Sequence, residues 1–242
     1  MATTDVPIDH RPWTNPWPDY RPVDATPPEL RADALTGEIE DWIIDRTATP
    51  QEVTDWDQRL AAAVVPYLLT PDGWPLNPTG RTGRGGRDLG RWGENPAVDP
   101  IVVAGTGLNR HLLLIRRADT GQWAIPGGMQ DPGETVQEAM ARELLEETGL
   151  DLSDHRPTVL RQGYIDDPRN TDHAWVSGTC SLYRLPVVLP IQAGDDAVDA
   201  LWWPWHGTVE DLIRTLEPAG GLYPAHRSLL AALAVRPQER SH

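Results

Sequence analysis

The stretch from Gly128 to Leu150, GMQDPGETVQEAMARELLEETGL, constrains the chain most, because its local signals specify one short helix with a charged edge. Thr135 and Glu138 are spaced as a capping box, Pro132 and Gly133 break the chain just upstream, and Gly149 stands where a left-handed C-cap belongs. At about 100° per residue, Glu143, Glu146 and Glu147 share one arc, while Met140, Ala141, Leu144 and Leu145 fill the neighbouring one. One arc packs, and the adjoining edge collects carboxylates. Like charges at this spacing repel by roughly a few tenths of a kcal/mol per pair, so a cation belongs there. Arg142 is expected on the far side of Glu146, within reach of Glu138, and cannot neutralise three acids. Oxygen-only ligands suit a hard divalent cation, Mg²⁺ or Mn²⁺. Taken alone, the run reads more readily as a solvated acidic helix face.

At 242 residues the chain is long enough for one large domain, or a domain with a substantial cap. Its net charge is −15 and it contains no lysine, so every fixed side-chain cation is an arginine. That balance argues against a general nucleic-acid or anionic-membrane binder, while leaving arginine clusters able to grip a diphosphate. Without lysine there is no Walker A phosphate loop and no Schiff-base chemistry. The single Cys180 excludes an internal disulfide and reads as a small buried residue of a strand. With no basic-then-apolar leader pattern and no apolar run of membrane-spanning length, the expectation is a soluble, cytoplasmic protein.

Residues 1 to about 28 are rich in Pro and Trp, which forbids a helix or an interior strand. The large rings favour an extended arm lying on the domain over a disordered tail. Helices are expected over Glu29 to Arg46 and over Pro50 to about Val65, the second with Thr49 as N-cap and Glu52 completing a capping box. The stretch from Pro75 to Pro100 has the composition of a flexible Gly/Arg linker or of an RGG-like segment for single-stranded nucleic acid, the second opposed by the chain's acidity. Ile101 to Ala104 and Leu112 to Arg116 suit a hairpin-like pair, with a turn through Gly105, Gly107 and Asn109. Gln162 to Trp175 reads as a strand, a loop opened by Asp167 and Pro168 with Arg169 paired to Asp167 or Asp172, and a second strand running to Tyr183. A closing helix carries Ser228, Leu229, Leu230, Ala232 and Leu233 as its apolar stripe.

The wording of the first stretch resembles the Nudix box, G-x5-E-x7-R-E-U-x-E-E-x-G-U with U aliphatic. Gly128, Glu134, Arg142, Glu143, Leu144, Glu146, Glu147, Gly149 and Leu150 match every specified position. The resemblance implies an α/β protein of the Nudix fold, a mixed β-sheet sandwiched between helices, here with an N-terminal cap subdomain. It implies that the Gly128 carbonyl, Glu143, Glu146 and Glu147 hold Mg²⁺, with Mn²⁺ an alternative, and that Glu134 orients Arg142. GYIDDPRNTDHAW and the connector from Pro75 are similar to the ADP-ribose pyrophosphatase branch of that family, which also supplies a domain of ADP-ribose-gated melastatin-type channels. On that likeness residues 1–97 form the cap and 98–242 the Nudix domain. Asp167 and Arg169 contact the terminal ribose or its phosphate, and Asn95, Tyr223 and His226 are further substrate-binding candidates. The channel-type domain has Asn at the position of Ala225. The catalytic candidates are Glu146, Glu147, Asp195 and Asp196, and the base stays open among Glu146, Asp195 and Asp196.

The expected activity is Mg²⁺-dependent hydrolysis of ADP-ribose to AMP and ribose 5-phosphate, by a monomer or homodimer acting on a small-molecule nucleotide, with no nucleic-acid or membrane partner. Two other functions stay open: Nudix hydrolysis of another nucleoside diphosphate derivative, and a module that binds ADP-ribose without cleaving it.

Overall fold

The computed structural model describes residues 3–194 and 197–235. These fall into two compact units, 3–96 with 163–178 and 97–162 with 179–235. Among the described residues no helix is long and apolar enough to cross a membrane.

The first unit is built from turns and short pairings. The strand β1 (Val23–Asp24) pairs in parallel with β4 (Arg84–Gly85), β2 (Leu68–Leu69) pairs antiparallel with β3 (Pro75–Leu76), and α1 is Trp56–Ala62. The aromatic arm packs, as its rings suggest. The Trp13 indole donates to the Asn77 carbonyl at 2.9 Å, and the Arg81 guanidinium lies 4.8 Å from the Trp13 ring and 5.4 Å from that of Tyr20. Arg81 Nη1 also donates to the carbonyls of His10, Pro12 and Asn15. The Gly/Arg stretch is thus a packing seam and not a flexible linker. Gly80 and Gly83 both have positive φ, and a Cβ on them would run into the carbonyl oxygens of Arg11 and Thr4. These glycines let the arm lie flush on the connector.

The two helices expected in this unit shrink. Over 29–46 only 3₁₀ turns form, at Pro28–Leu30 and Ala34–Thr36. Further on, the amides of Ile44 and Asp45 donate to the distant Gly90 carbonyl, which removes them from any helical ladder. Over 50–65 a 3₁₀ turn at Pro50–Glu52 gives way to extended Val53, and the Thr49 hydroxyl donates to the Glu52 carboxylate instead of capping. The helix α1 then stops at Ala62, because the Val64 and Val65 amides turn to the Glu94 carboxylate at 2.8 and 2.9 Å.

The mixed sheet has the order β11-β6-β5-β10-β9, with β7 on β6 and β8 on β5. Its strands are β5 (Gly93–Ala104), β6 (His111–Arg117), β7 (Trp123–Ala124), β8 (Gly128–Met129), β9 (Thr158–Tyr164), β10 (Ala174–Leu185) and β11 (Ala197–Pro204). The expected hairpin is present, with Val103 opposite Leu112 and Ala104 opposite His111. In the second unit the period of two sorts side chains to two faces. Val102, Leu113 and Tyr183 pack against Met140 and Leu144 of α2 (Val136–Thr148). Ile101, Leu112, Leu114, Cys180 and Leu182 pack against α3 (Val209–Leu216) and against Leu229 and Leu230 of α4 (Arg227–Val235). The sheet is therefore sandwiched between helices. Cys180 is buried as its strand position suggests, and burial pushes its thiol up to about 12. The helix α3 has no counterpart in the sequence reading, although Thr208 and Asp211 form a capping box and Val209, Leu212 and Leu216 recur at helical spacing.

Candidate active site

The box helix α2 begins and ends as its sequence dictates. The Thr135 hydroxyl accepts from the Glu138 amide while the Glu138 carboxylate accepts from the Thr135 amide, and Gly149 closes the helix at φ 65°. Glu143 and Glu147 lie on its buried face, with Ala139, Met140 and Leu144. Glu146 faces outward, its side chain 45% exposed. The Glu147 carboxylate accepts from the Gly127 amide at 2.8 Å, which fixes it against the loop before β8. A Cβ at Gly127 would strike the Val98 carbonyl, and one at Gly128 would come within 2.5 Å of Glu143 Oε1. Both glycines are needed for the loop to close on the two carboxylates.

Arg142 does not reach Glu138, whose carboxylate is used by the cap. Its Nε and Nη2 donate to the two Glu134 oxygens at 2.8 and 3.1 Å, and its Nη1 bridges Glu143 Oε1 and Glu146 Oε2 at 2.8 and 3.0 Å. Nη2 also donates to the Met129 carbonyl at 3.0 Å. This ring of acceptors, Glu134 foremost, holds the guanidinium firmly charged. One cation thus ties the loop acid Glu134 to two of the three helix acids.

The donor set fits a hard divalent cation, since Glu143, Glu147 and the backbone around Gly128 are all oxygen donors and glycine alone leaves room beside Glu143. Among the described residues no three His, Cys, Asp or Glu side chains converge into a finished cage, and Glu146 rests on Arg142. Asp195 and Asp196 lie outside the described residues.

On the other face of the second unit, Tyr223 and His226 sit at the 3₁₀ turn before α4, their rings 5.3 Å apart and perpendicular. The Arg117 guanidinium stacks 4.9 Å from the Tyr223 ring. His226 Nδ1 accepts from the Ile125 amide at 2.9 Å, so the ring proton sits on Nε2, which points to Asp99 Oδ1 at 3.7 Å. Burial, and then Arg117, depress the His226 imidazole to about 4, and burial raises the Asp99 carboxyl to about 7. Asp99 was not singled out from the sequence. Its one signal is an acid in the otherwise apolar run AVDPIVVA.

In the first unit, Arg169 pairs with Asp167, the first of the two acids expected for it. The Asp167 carboxylate accepts from the Arg169 amide, Nε and Nη2 at 2.8 to 2.9 Å, and although burial opposes it, these bonds hold the group below the usual carboxylate range. Asp172 is fully buried and accepts from the Tyr20 hydroxyl at 2.6 Å and from Thr82 through its amide and hydroxyl. Asn170 and Thr171 of the same motif are architectural: Asn170 bonds Tyr164, Ile165 and Val176, and the Thr171 hydroxyl bonds the Gly86 carbonyl. Asn95 is buried, its amide accepting from the Arg91 N–H and donating to the Arg91 and Gly93 carbonyls.

The model of the NUDIX domain matches residues 95–229, and that of the NUDT9-like N-terminal domain matches residues 6–93. The chain belongs to the NUDIX family. A Caenorhabditis elegans nudix hydrolase is 38% identical over 82% of this chain and 81% of its own. The mitochondrial ADP-ribose pyrophosphatase of Rattus norvegicus is 32% identical over 84% of this chain and 68% of its own. A transient receptor potential cation channel subfamily M member-like 2 of Nematostella vectensis is 32% identical over 97% of this chain, which spans 16% of that channel.

Proposed function

We infer that the protein hydrolyses ADP-ribose to AMP and ribose 5-phosphate, with Mg²⁺ or Mn²⁺ held by the Gly128 carbonyl, Glu143, Glu146 and Glu147. The observation that carries this is the closure of the Gly127–Gly128 loop on two buried carboxylates, Glu143 and Glu147, at the capped box helix. When bound, a divalent cation supplies charge neutralisation for the two phosphates. The chain's own groups position and move protons. Arg142 aims Glu143 and Glu146, the Gly127 amide aims Glu147, and a carboxylate among Glu146, Asp195 and Asp196 takes the proton of the attacking water. Water's oxygen joins one phosphorus as the P–O–P bond breaks, and the other phosphate leaves with the bridging oxygen.

ADP-ribose is supported by DDPRNTD and by the name of the rat relative. In this reading Tyr223 offers a ring for the base and His226 a hydrogen-bonding edge, and Asp167 and Arg169 are the candidates for the terminal ribose. Purified protein should release AMP from ADP-ribose with Mg²⁺ faster than from sugar nucleotides or dinucleoside polyphosphates. Faster turnover of one of those would move the assignment to another Nudix substrate. A second reading, ADP-ribose binding without cleavage, is favoured by the likeness to a channel subunit over nearly the whole chain. Tight calorimetric binding with no product on chromatography would establish it.

A further inference from the structure

We propose that Arg117 and Asp119 set which base the site accepts: Arg117 backs the Tyr223 ring as a specificity-determining residue, and Asp119 is the positioning residue that holds it there. The inference rests on the reading above, in which Tyr223 meets the base, and deepens it. Every residue it uses belongs to the second unit. Neither Arg117 nor Asp119 was singled out from the sequence, where RRADTGQW shows only a charged turn.

The turn that carries this pair is tied to the segment that carries the ring. Strand β6 ends at Arg117, whose amide donates to the Gln122 carbonyl at 3.0 Å and whose carbonyl accepts from the Gly121 amide at 2.9 Å. Next along the chain, the Trp123 amide donates to the Gly221 carbonyl at 2.9 Å, and the Tyr223 amide donates to the Trp123 carbonyl at 2.7 Å. The Trp123 indole adds a bond to the Ala219 carbonyl at 3.0 Å. Backbone bonds thus set Arg117 and Tyr223 on one framework, and a ligand loses little affinity to ordering it.

On that framework Asp119 grips Arg117 with two parallel bonds, Nε to Oδ1 at 2.9 Å and Nη2 to Oδ2 at 2.7 Å, while the guanidinium lies over the Tyr223 ring, 4.9 Å from its centre. The grip holds the Asp119 carboxyl down at about 2, so the pair stays charged at neutral pH. Two consequences follow for a ligand ring. No base fits between Arg117 and Tyr223, because two stacking distances of about 3.5 Å each need about 7 Å. A base must therefore use the part of Tyr223 that Arg117 leaves. The cation also compensates the negative charge of the ring face it covers, which makes the ring a better platform for an electron-rich base. A purine, with the larger flat surface, gains most.

Calorimetry on the full chain with adenosine, uridine and AMP tests this. Wild type should bind adenosine more tightly than uridine. Arg117→Gln should weaken adenosine and AMP by the same factor, roughly fivefold, and should narrow the gap between adenosine and uridine. Asp119→Asn should weaken adenosine about twofold, and adding it to Arg117→Gln should weaken binding no further, because Asp119 acts through Arg117. The two side chains are 32% and 59% exposed, so neither change opens the core and circular dichroism should be unchanged. A loss confined to AMP would place Arg117 on a phosphate and overturn the proposal, as would an unchanged ratio of adenosine to uridine affinity or no binding of adenosine to wild type. Additive losses in the double variant would overturn the role given to Asp119. If adenosine and AMP behave as expected while ADP-ribose is not cleaved, the hydrolase reading falls and this one stands. If ADP-ribose is cleaved with the same KM by wild type and Arg117→Gln, the hydrolase reading stands and this one falls.

Discussion

Glu134 grips Arg142 with both carboxylate oxygens, and through that guanidinium it sets the positions of Glu143 and Glu146, which share the remaining Nη1. Glu134→Gln keeps the shape but loses the charge that anchors the fork. Because Glu134 acts through Arg142, we expect kcat to fall about tenfold while KM for ADP-ribose changes little. Steady-state kinetics check this, and a raised KM at unchanged kcat would place Glu134 in substrate binding instead.

The buried pair Glu143 and Glu147 should behave differently. Each glutamine variant should lose about a hundredfold or more in turnover while staying folded, since Glu147→Gln retains an oxygen for the Gly127 amide. A thermal shift on adding Mg²⁺ gives a readout independent of activity. Wild type should gain stability as the ion binds the folded state, and both variants should gain less. Chelation of divalent ions should abolish AMP release. Equal Mg²⁺ shifts in all three proteins would contradict the metal assignment.

Gly83 and Gly133 separate steric crowding from backbone strain. Both have positive φ, +81° and +85°, but an added Cβ meets the Thr4 backbone at Gly83 and open space at Gly133. Gly133→Ala should therefore cost about 1 kcal/mol, from strain alone. Gly83→Ala must also push the arm off the connector and should cost about 2–3 kcal/mol in urea denaturation. Equal costs would mean that the arm's seat contributes nothing.

The box helix was legible because its determinants are local. Thr135, Glu138 and Gly149 need only their own neighbours to act, and the structure realises all three. The first unit resists such reading because its backbone partners are remote. Ile44 and Asp45 turn to Gly90, Val64 and Val65 to Glu94, and Arg81 to His10, Pro12 and Asn15, so helical spacing there is overruled by contacts that no window of residues contains. In the site, spacing placed three acids on one edge. It could not say that Arg142 would bridge Glu143 and Glu146, because that guanidinium is held by Glu134, eight residues before it. The helix α3 is a different case, since Thr208, Asp211 and the Val209, Leu212, Leu216 stripe are as local as the signals of α2.

Asp99 gives a pH dependence whose sign follows from burial. Its carboxyl titrates at about 7 in the folded protein, against about 3.9 in an unfolded chain, so the folded state prefers it protonated. Wild type is therefore penalised progressively as pH rises from about 4 to 7, and Asp99→Asn escapes that penalty. His226, 3.7 Å away, offers no relief, because burial keeps it neutral until about pH 4. The side chain of Asp99 is 14% exposed, so water softens the cost to an expected 1–3 kcal/mol, roughly, below the ceiling of about 4 kcal/mol that three pKa units imply. Urea denaturation should find Asp99→Asn more stable than wild type at pH 8 and equal to it near pH 4. His226→Gln should show the mirrored window: wild type holds its full stability above about 6.5 and loses it as pH falls toward 4, and the variant does not. A constant gap between Asp99→Asn and wild type from pH 4 to 8 would mean that Asp99 titrates normally and stands in water.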